Sequence, residues 1–266
     1  MVHAEFFLGG RDLEMVTIAQ LLLDSGCSFH DAQLNWGGKA SCYQSEIESA
    51  ISNQQSIVLV ELIDDIDLAK RLEPNQLIVV DHHGAKAGKT APTSLEQVFE
   101  LLALPSSKWT RWMQLVAAND RGHVSAMLEI DATLEEVQRA RQADRQAQGI
   151  TDQQERQGQL AIKEAQSLAG GQLTVVRLPH SRCATVTDSL DQRMGGPGFK
   201  NLLVISPNQL NFYGAGFVIQ QLVDKFPAGW YGGELPDRGF WGTEDYPEEL
   251  IPVSYTHLTL PTILLV

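Results

Sequence analysis

The clearest candidate for chemistry in this chain is the tripeptide Asp81-His82-His83, which directly follows the apolar run Leu77–Val80. Four consecutive β-favouring residues predict a buried strand, so one carboxylate and two imidazoles would stand where that strand opens into a loop. In an α/β sheet, this carboxyl end of a strand is where ligands bind. Because zinc, manganese and iron accept aspartate and histidine as ligands, the segment predicts a metal site. The alternative is a loop whose polar residues hydrogen-bond one another.

Further acidic residues follow other predicted elements in the same part of the chain. Asp12 and Glu14 come after a predicted strand over residues 4–8, Glu61 comes after one over residues 57–60, and Asp120 comes after a predicted helix. The carboxyl ends of parallel strands meet at one edge of a sheet, so these groups are expected to converge with the histidines. Such a set could hold two cations that activate a water for phosphoryl transfer.

Each carboxylate also has a plainer interpretation. Asp12 could cap the helix that follows it, and Asp120 could stabilise the turn Asn119-Asp120-Arg121-Gly122. Glu14 and Glu61 could be solvated groups beside the real site. Asp64 and Asp65 compete with Glu61 for the same role. The residue types alone leave these alternatives open.

Strands and helices alternate through short connections in the first half of the chain. Helical spacing of apolar residues predicts helices over 13–25, from Ser94 onwards and over 108–118. This order predicts an α/β fold with a doubly wound, mostly parallel sheet in residues 1–125. Residues 126–170, rich in Gln, Arg, Ala and Glu, predict a helical linker, in which Thr133 and Glu136 have the spacing of a capping box and Gly149 and Gly158 are expected to interrupt the helix.

Short strands return after Gly170 and predict a smaller α/β domain over residues 171–252. The predicted strands cover residues 173–177, 184–187, 202–205 and 211–213, and a helix covers residues 216–225. A glycine-rich segment with Trp230 and Trp241 follows; both indoles are expected to be packing anchors, and either could stack on a base if the ligand is a nucleotide. Residues 253–266 resemble the translated read-through found at the ends of assembled fragments, so they are interpreted as a non-native tail.

Composition limits the classes of function. With 266 residues, 43% of them hydrophobic, the chain can bury a proper core. A net charge of −13 argues against a long nucleic acid as partner. Three widely spaced cysteines favour a reducing cytoplasm. No stretch reaches the roughly 18 apolar residues of a membrane span, so no membrane partner is expected. Whether the protein forms a homodimer stays open.

The segment Val79-Val80-Asp81-His82-His83-Gly84 resembles the signature of the DHH phosphoesterase family, and the resemblance extends over most of residues 1–250. It implies an N-terminal domain with a manganese or magnesium pair and a C-terminal domain whose glycine-rich loop and arginine hold a substrate phosphate. Carried onto this sequence, the metal ligands are Asp12, Glu14, Glu61, His82 and Asp120. Asp81 would orient the adjacent imidazole, His83 would stabilise the phosphoryl oxygens, and Gly232, Gly233 and Arg238 would bind the distal phosphate.

The sequence departs from the family pattern at the first motif. Leu8, Gly9, Gly10 and Arg11 stand where the family carries a metal-binding histidine, and glutamate replaces aspartate at positions 14 and 61. Arg11 could bind the phosphate or fill the space of a lost metal. The expected function is metal-dependent hydrolysis of a small phosphorylated substrate, such as a short oligonucleotide, a cyclic dinucleotide or a nucleotide phosphate. The alternative is a former hydrolase that binds such a ligand as a sensor without cleaving it.

Overall fold

The computed structural model of the protein describes residues 4–82, 91–233 and 235–244. The chain divides into two compact units, Met1–Gly149 and Ile150–Val266. The division falls inside the predicted linker, whose first part therefore belongs to the first unit. The domain boundaries predicted from the sequence, 1–125, 126–170 and 171–252, stay predictions. The interpreted tail over residues 253–266 lies outside the described residues.

The first unit is built on a four-stranded, entirely parallel sheet with strand order β2-β1-β3-β4. Alternation along β1 directs Phe6 and Leu8 to one face and Phe7 to the other, and all three are buried. A central strand that is apolar on both sides requires cover on both faces. The strands are β1 (Ala4–Leu8), β2 (Ser28–His30), β3 (Ser56–Val60) and β4 (Leu77–Val80).

Helices pack on both faces of this sheet, so the predicted doubly wound α/β fold is confirmed. Phe6 and Leu8 pack in one core with apolar residues of α1, α4 and α5. Phe7 packs in a second core with residues of α2 and α3. The helices of the unit are α1 (Leu13–Asp24), α2 (Gln44–Ser52), α3 (Leu68–Arg71), α4 (Ser94–Leu101), α5 (Arg111–Glu129) and α6 (Leu134–Ala147). The predicted capping box of Thr133 and Glu136 starts α6.

The second unit contains a six-stranded mixed sheet with order β5-β6-β7-β8-β10-β9, in which β6 and β7 run parallel. Its helix α9 coincides with the helix predicted over residues 216–225. The elements are α7 (Asp152–Lys163), β5 (Gln166–Leu168), β6 (Leu173–Arg177), α8 (Ala184–Leu190), β7 (Asn201–Ser206), β8 (Gln209–Ala215), α9 (Gly216–Lys225), β9 (Trp230–Gly232) and β10 (Arg238–Thr243).

Three local predictions were wrong. Residues 184–187 form the start of helix α8 rather than a strand, because Val186 and Leu190 lie on one buried helical face. Gly158 does not interrupt its helix: a Cβ there would approach Thr185 Oγ1 to 2.6 Å, so the glycine allows α7 to pack closely on α8. The helix predicted to end at residue 118 continues to Glu129, although Gly122 and His123 depart from helical backbone angles.

No helix among the described residues is long and apolar enough to cross a membrane.

Candidate metal centre

Three strand ends bring a candidate metal site together at one edge of the parallel sheet. Glu14 lies in the first turn of α1 beyond β1, Glu61 immediately follows β3, and His82 is the second residue after β4. One potential ligand atom from each lies within 4.8 Å of the other two. These strands are neighbours in the sheet, so the convergence follows from the parallel order β1-β3-β4.

The connection from β1 to α1 passes so close to Glu61 that it requires a glycine. A Cβ on Gly9 would stand 2.4 Å from the Glu61 carbonyl oxygen. Glu61 itself has a φ of 52°, and its N–H donates to the Val80 carbonyl at 2.9 Å. A histidine at position 9, where a metal ligand could have preceded Asp12, would therefore collide with backbone that positions another ligand.

We expect Gly9→Ala to reduce metal binding through this contact. The added methyl group must displace the backbone of Glu61, which should destabilise the first unit by about 1–3 kcal/mol and weaken Mn²⁺ binding about tenfold or more. Calorimetric titration with Mn²⁺ measures the effect. The matched control is Gly149→Ala, where nothing lies within 4 Å of the new Cβ, although the φ of +75° adds strain. Equal Mn²⁺ affinity in both variants would contradict the argument.

The start of α4 orients the two glutamates. The backbone N–H of Leu95 donates to Glu14 Oε1 at 2.8 Å, and Ser94 Oγ donates to Glu61 Oε1, also at 2.8 Å. Glu14 Oε2 is buried without a hydrogen bond and lies 3.6 Å from His82 Nε2. Glu61 Oε1 lies 3.5 Å from the same nitrogen. Each glutamate is thus held with an oxygen directed at the imidazole.

Asp120 and Asp12 complete the cluster. Asp120 Oδ2, on α5, is buried and pairs with His82 Nε2. Asp12 caps α1 by accepting the Met15 N–H at 2.8 Å, so the plainer interpretation of this residue is correct. It nevertheless stands close enough to Asp120, Glu61 and Glu14 for their charges to affect its ionisation.

Burial and mutual repulsion make two of these carboxyls weak acids. Burial, together with the charges of Asp120, Glu61 and Glu14, raises the pKa of Asp12 to about 8, although the Met15 amide opposes the shift. Burial and neighbouring carboxylates likewise raise the pKa of Glu14 to about 8, opposed by His82 and the Leu95 amide. A cation bound at this position would relieve the same repulsion.

The pKa of the His82 imidazole is raised as well, but by attraction to the carboxylates rather than by burial. Burial alone would lower its pKa, but interactions with Asp120, Glu14 and Glu61 outweigh burial and raise the pKa to about 12. Without a cation, the site therefore takes up protons that offset part of its concentrated negative charge.

The donor set fits a divalent cation. Ligand atoms of one octahedral Mn²⁺ or Mg²⁺ ion, at about 2.1 Å from the metal, lie about 3–4.2 Å from one another. His82 Nε2 lies 3.6 Å from Glu14 Oε2 and 3.5 Å from Glu61 Oε1, and both distances fall within the range for a single ion. Glu14 Oε2 is buried without a hydrogen bond, so a cation could supply the partner that this oxygen lacks. The described residues thus provide a ligand set for one ion.

The shifted pKa values predict how stability depends on pH. Between about pH 5 and 8 the folded, metal-free protein retains protons on Asp12 and Glu14 that the unfolded chain has released, so its stability falls as pH rises. Mn²⁺ replaces those protons, so the rise in Tm caused by Mn²⁺ should grow over the same range. Thermal melts in EDTA and in excess Mn²⁺ at pH 5 to 8 test this. A Mn²⁺ effect that shrinks with pH would contradict it.

Comparison with known proteins gives similarity of fold at low sequence identity. No protein-family model and no curated protein matches the chain. Exonuclease RecJ bound to manganese is 10% identical, with 94% of this chain and 87% of that chain covered and a TM-score of 0.42. RecJ in complex with Mg²⁺ from Thermus thermophilus is 13% identical, with 93% and 48% covered and a TM-score of 0.47.

A third similar structure is the pGpG-specific phosphodiesterase PggH from Vibrio cholerae. It is 11% identical, with 91% of this chain and 93% of that chain covered and a TM-score of 0.37. At this level of similarity, membership of the DHH family stays a prediction.

The other predicted site residues of the first unit do not join the cluster in the same way. Asp81 is half-buried, and its backbone carbonyl accepts Gln97 Nε2 at 3.2 Å. The Arg11 side chain is exposed, and the backbone N–H of Arg11 donates to the Leu34 carbonyl. His83 lies outside the described residues. Asp64 and Asp65, the rivals of Glu61, serve elsewhere: Asp64 accepts backbone N–H groups at the start of α3, and Asp65 binds Ser41.

The predicted phosphate-binding residues lie in the second unit. Gly232 ends β9, and Gly233 has a φ of +100° that favours glycine. Arg238 is exposed and donates to the Lys200 carbonyl at 2.9 Å. Of the two tryptophans suggested for base stacking, Trp241 is only 1% exposed and serves the core, whereas Trp230 is 41% exposed. The stacking role is therefore wrong for Trp241 and stays a prediction for Trp230.

Sequence reasoning missed a buried polar network behind the cluster. Arg141 Nη1, on α6, donates to Asp144 Oδ2 at 2.8 Å and to Asn119 Oδ1 at 2.9 Å. Asp144 Oδ1 accepts the backbone N–H of Leu13 at 3.2 Å, between Asp12 and Glu14. One signal could have found it: Arg141 and Asp144 fall on the same helical stripe as the apolar Val137 and Ala140.

Proposed function

We propose that the chain is a metal-dependent phosphoesterase that binds Mn²⁺ or Mg²⁺ through Glu14, Glu61, His82 and Asp120, with Asp12 beside them. The observation that carries the proposal is the group of carboxylates around the buried imidazole of His82, with Glu14 Oε2 buried and without a hydrogen bond. A cation bound there would neutralise a phosphoryl group and lower the pKa of a water molecule.

The protein's own residues would perform the remaining tasks. Ser94 and the Leu95 amide fix the orientations of Glu61 and Glu14, so the ligand set is arranged before the cation arrives. Asp81 and His83 keep their proposed roles of orienting the neighbouring imidazole and stabilising phosphoryl oxygens. Gly232, Gly233 and Arg238 are proposed to bind the distal phosphate, and Arg11 remains a candidate for substrate binding.

The proposed substrate is a small phosphorylated molecule: a short oligonucleotide, a cyclic dinucleotide or a nucleotide phosphate. The net charge of −13 disfavours the long, multiply contacted nucleic acids that basic proteins bind. Within the described residues, the cluster is built for one ion, and this observation keeps a second candidate in view. A protein with a single ion could bind the same ligands as a sensor without cleaving them.

A manganese-supplemented assay separates the two functions. The wild-type protein is incubated with pyrophosphate, dinucleotides, cyclic dinucleotides and bis-phosphorylated adenosine, and each compound is also tested for binding. We expect turnover that falls at least about 100-fold in His82→Ala. The matched control, Glu48→Gln, removes an exposed carboxylate that pairs with Arg71 and should keep full activity. Tight binding of a compound without turnover would favour the sensor instead.

A further inference from the structure

The carboxylate of Glu96, in the first turn of α4, has partners on two helices. Glu96 Oε2 accepts the backbone N–H of Thr93 at 2.7 Å, and Thr93 Oγ1 accepts the N–H of Glu96, so the two residues form a capping box. The same Oε2 also accepts a hydrogen bond from Arg121 Nη2, on α5, at 2.6 Å. A capping box needs only its own helix, so the arginine adds a connection between the start of α4 and α5.

Both ends of this connection lie next to groups of the metal cluster. On α4, Glu96 directly follows Ser94 and Leu95, the two residues that hold the glutamates of the cluster. On α5, Arg121 directly follows Asp120, the carboxylate that pairs with the imidazole. The ion pair therefore links the turn that orients two candidate ligands to the turn that carries another.

The helix that carries Asp120 is irregular at this point. Gly122 and His123 depart from helical backbone angles, so the regular helix is interrupted directly after Arg121. In an unbroken α-helix, hydrogen bonds to the next turn would hold the backbone of Asp120. The connection to α4 thus supplies a constraint where the hydrogen-bond pattern of the helix is interrupted.

We propose that Arg121 is a positioning residue of the metal centre: its ion pair with Glu96 holds Asp120 at the right distance from the glutamates that α4 orients. The inference rests on the proposed metal binding and deepens it by naming the contact that sets the spacing of ligands from different elements. The two side chains of the pair are 26% and 32% exposed, so the pair should add little to overall stability. Its effect should appear in metal affinity.

Substitutions at this pair separate the effect of charge from that of position. Arg121→Met removes a positive charge near a cation site, so a residue that acted only through its charge would give tighter Mn²⁺ binding when replaced. Adding Glu96→Gln restores the net charge, and glutamine can still accept the Thr93 N–H of the capping box. A loss of Mn²⁺ affinity in this double variant therefore reports position. Arg121→Lys keeps the charge and a single donor, which is what the contact through Nη2 requires.

The same helix provides a matched control. Arg111, at the start of α5, pairs with Glu136 at 2.9 Å, and Glu136 is likewise the capping-box carboxylate of its own helix, α6. Arg111 stands nine residues before Asp120, which is about 14 Å along the helix. Arg111→Met with Glu136→Gln therefore makes the same two substitutions away from the cluster.

Calorimetric titration with Mn²⁺ and thermal melting in EDTA measure affinity and stability for each protein. We expect Mn²⁺ binding to be about tenfold weaker in Arg121→Met and in its double variant with Glu96→Gln. It should be close to that of the wild type in Arg121→Lys and in the control double variant. In EDTA, either double variant should lose no more than about 2–4 °C in Tm.

Three results would overturn the inference and leave the proposed function standing, provided that the wild type binds Mn²⁺. They are tighter binding in Arg121→Met, wild-type affinity in the double variant with Glu96→Gln, and an equal loss of affinity in the control double variant. A wild-type protein that binds no Mn²⁺ would instead refute the proposed function, and the inference with it.

Discussion

Glu14→Gln should make the metal-free protein more stable and at the same time abolish its response to Mn²⁺. Glu14 is 2% exposed and stands among three other carboxylates, so its charge is costly without a cation. Glutamine keeps an oxygen that can accept the Leu95 N–H and removes the repulsion. We expect Tm in EDTA to rise by about 2–5 °C, and Mn²⁺-dependent turnover to fall at least about 100-fold.

The control for this variant is Glu46→Gln, a half-buried carboxylate in the first turn of another helix, α2, where Ser45 Oγ donates to it at 2.6 Å. Its removal should change neither the Tm in EDTA nor the Mn²⁺ effect by more than about 1–2 °C. Thermal melts of the wild type and of both variants, in EDTA and in saturating Mn²⁺, give the Tm and the Mn²⁺ effect for each protein. A Glu14→Gln protein that loses stability in EDTA would show that the cluster is stabilised by its own charges, against the metal-site interpretation.

The apolar runs predicted the part of the fold that positions the site. Residues 57–60 and 77–80 are short apolar runs rich in β-branched residues, so they specify strands, and parallel order then brings Glu61 and His82 to one edge. The predicted burial is correct for residues 57–60 and wrong for residues 77–80, because β4 lies at the edge of the sheet and Val79 is 42% exposed. The same reasoning predicts that Asp12 and Glu14, which follow β1, lie at this edge. The two interpretations of Asp12 proved compatible, because one oxygen caps α1 while the group stays within electrostatic range of the cluster.

The network behind the site could not be predicted in the same way. In residues 126–170, abundant polar side chains indicated a solvated connector, yet Arg141 and Asp144 are both buried. A pair of opposite charges three residues apart on a helix is usually an exposed pair of small energetic effect. Its burial depends on α6 packing against α1 and α5, a tertiary contact that helical periodicity alone does not specify.

The second large effect is expected at this pair. Asp144→Ala removes the carboxylate that neutralises the buried Arg141, which should cost about 3–5 kcal/mol, or roughly 10 °C in Tm. It also removes the acceptor of the Leu13 N–H, so the start of α1, with Asp12 and Glu14, loses an anchor. Mn²⁺ affinity should fall about 10–100-fold, as expected for a group that orients metal ligands. Chemical denaturation and calorimetric titration measure the two effects.

A double variant separates the two consequences. Arg141→Met with Asp144→Leu replaces the buried ion pair with apolar side chains of similar size, which often restores most of the lost stability. It restores neither the acceptor for Leu13 nor the hydrogen bond to Asn119 beside Asp120. If the network positions the metal ligands, the double variant will regain much of its stability yet still bind Mn²⁺ at least about tenfold more weakly than the wild type. Wild-type Mn²⁺ affinity in this variant would reduce the network to a purely structural role, because α1 would then hold its carboxylates in place without the Asp144 anchor.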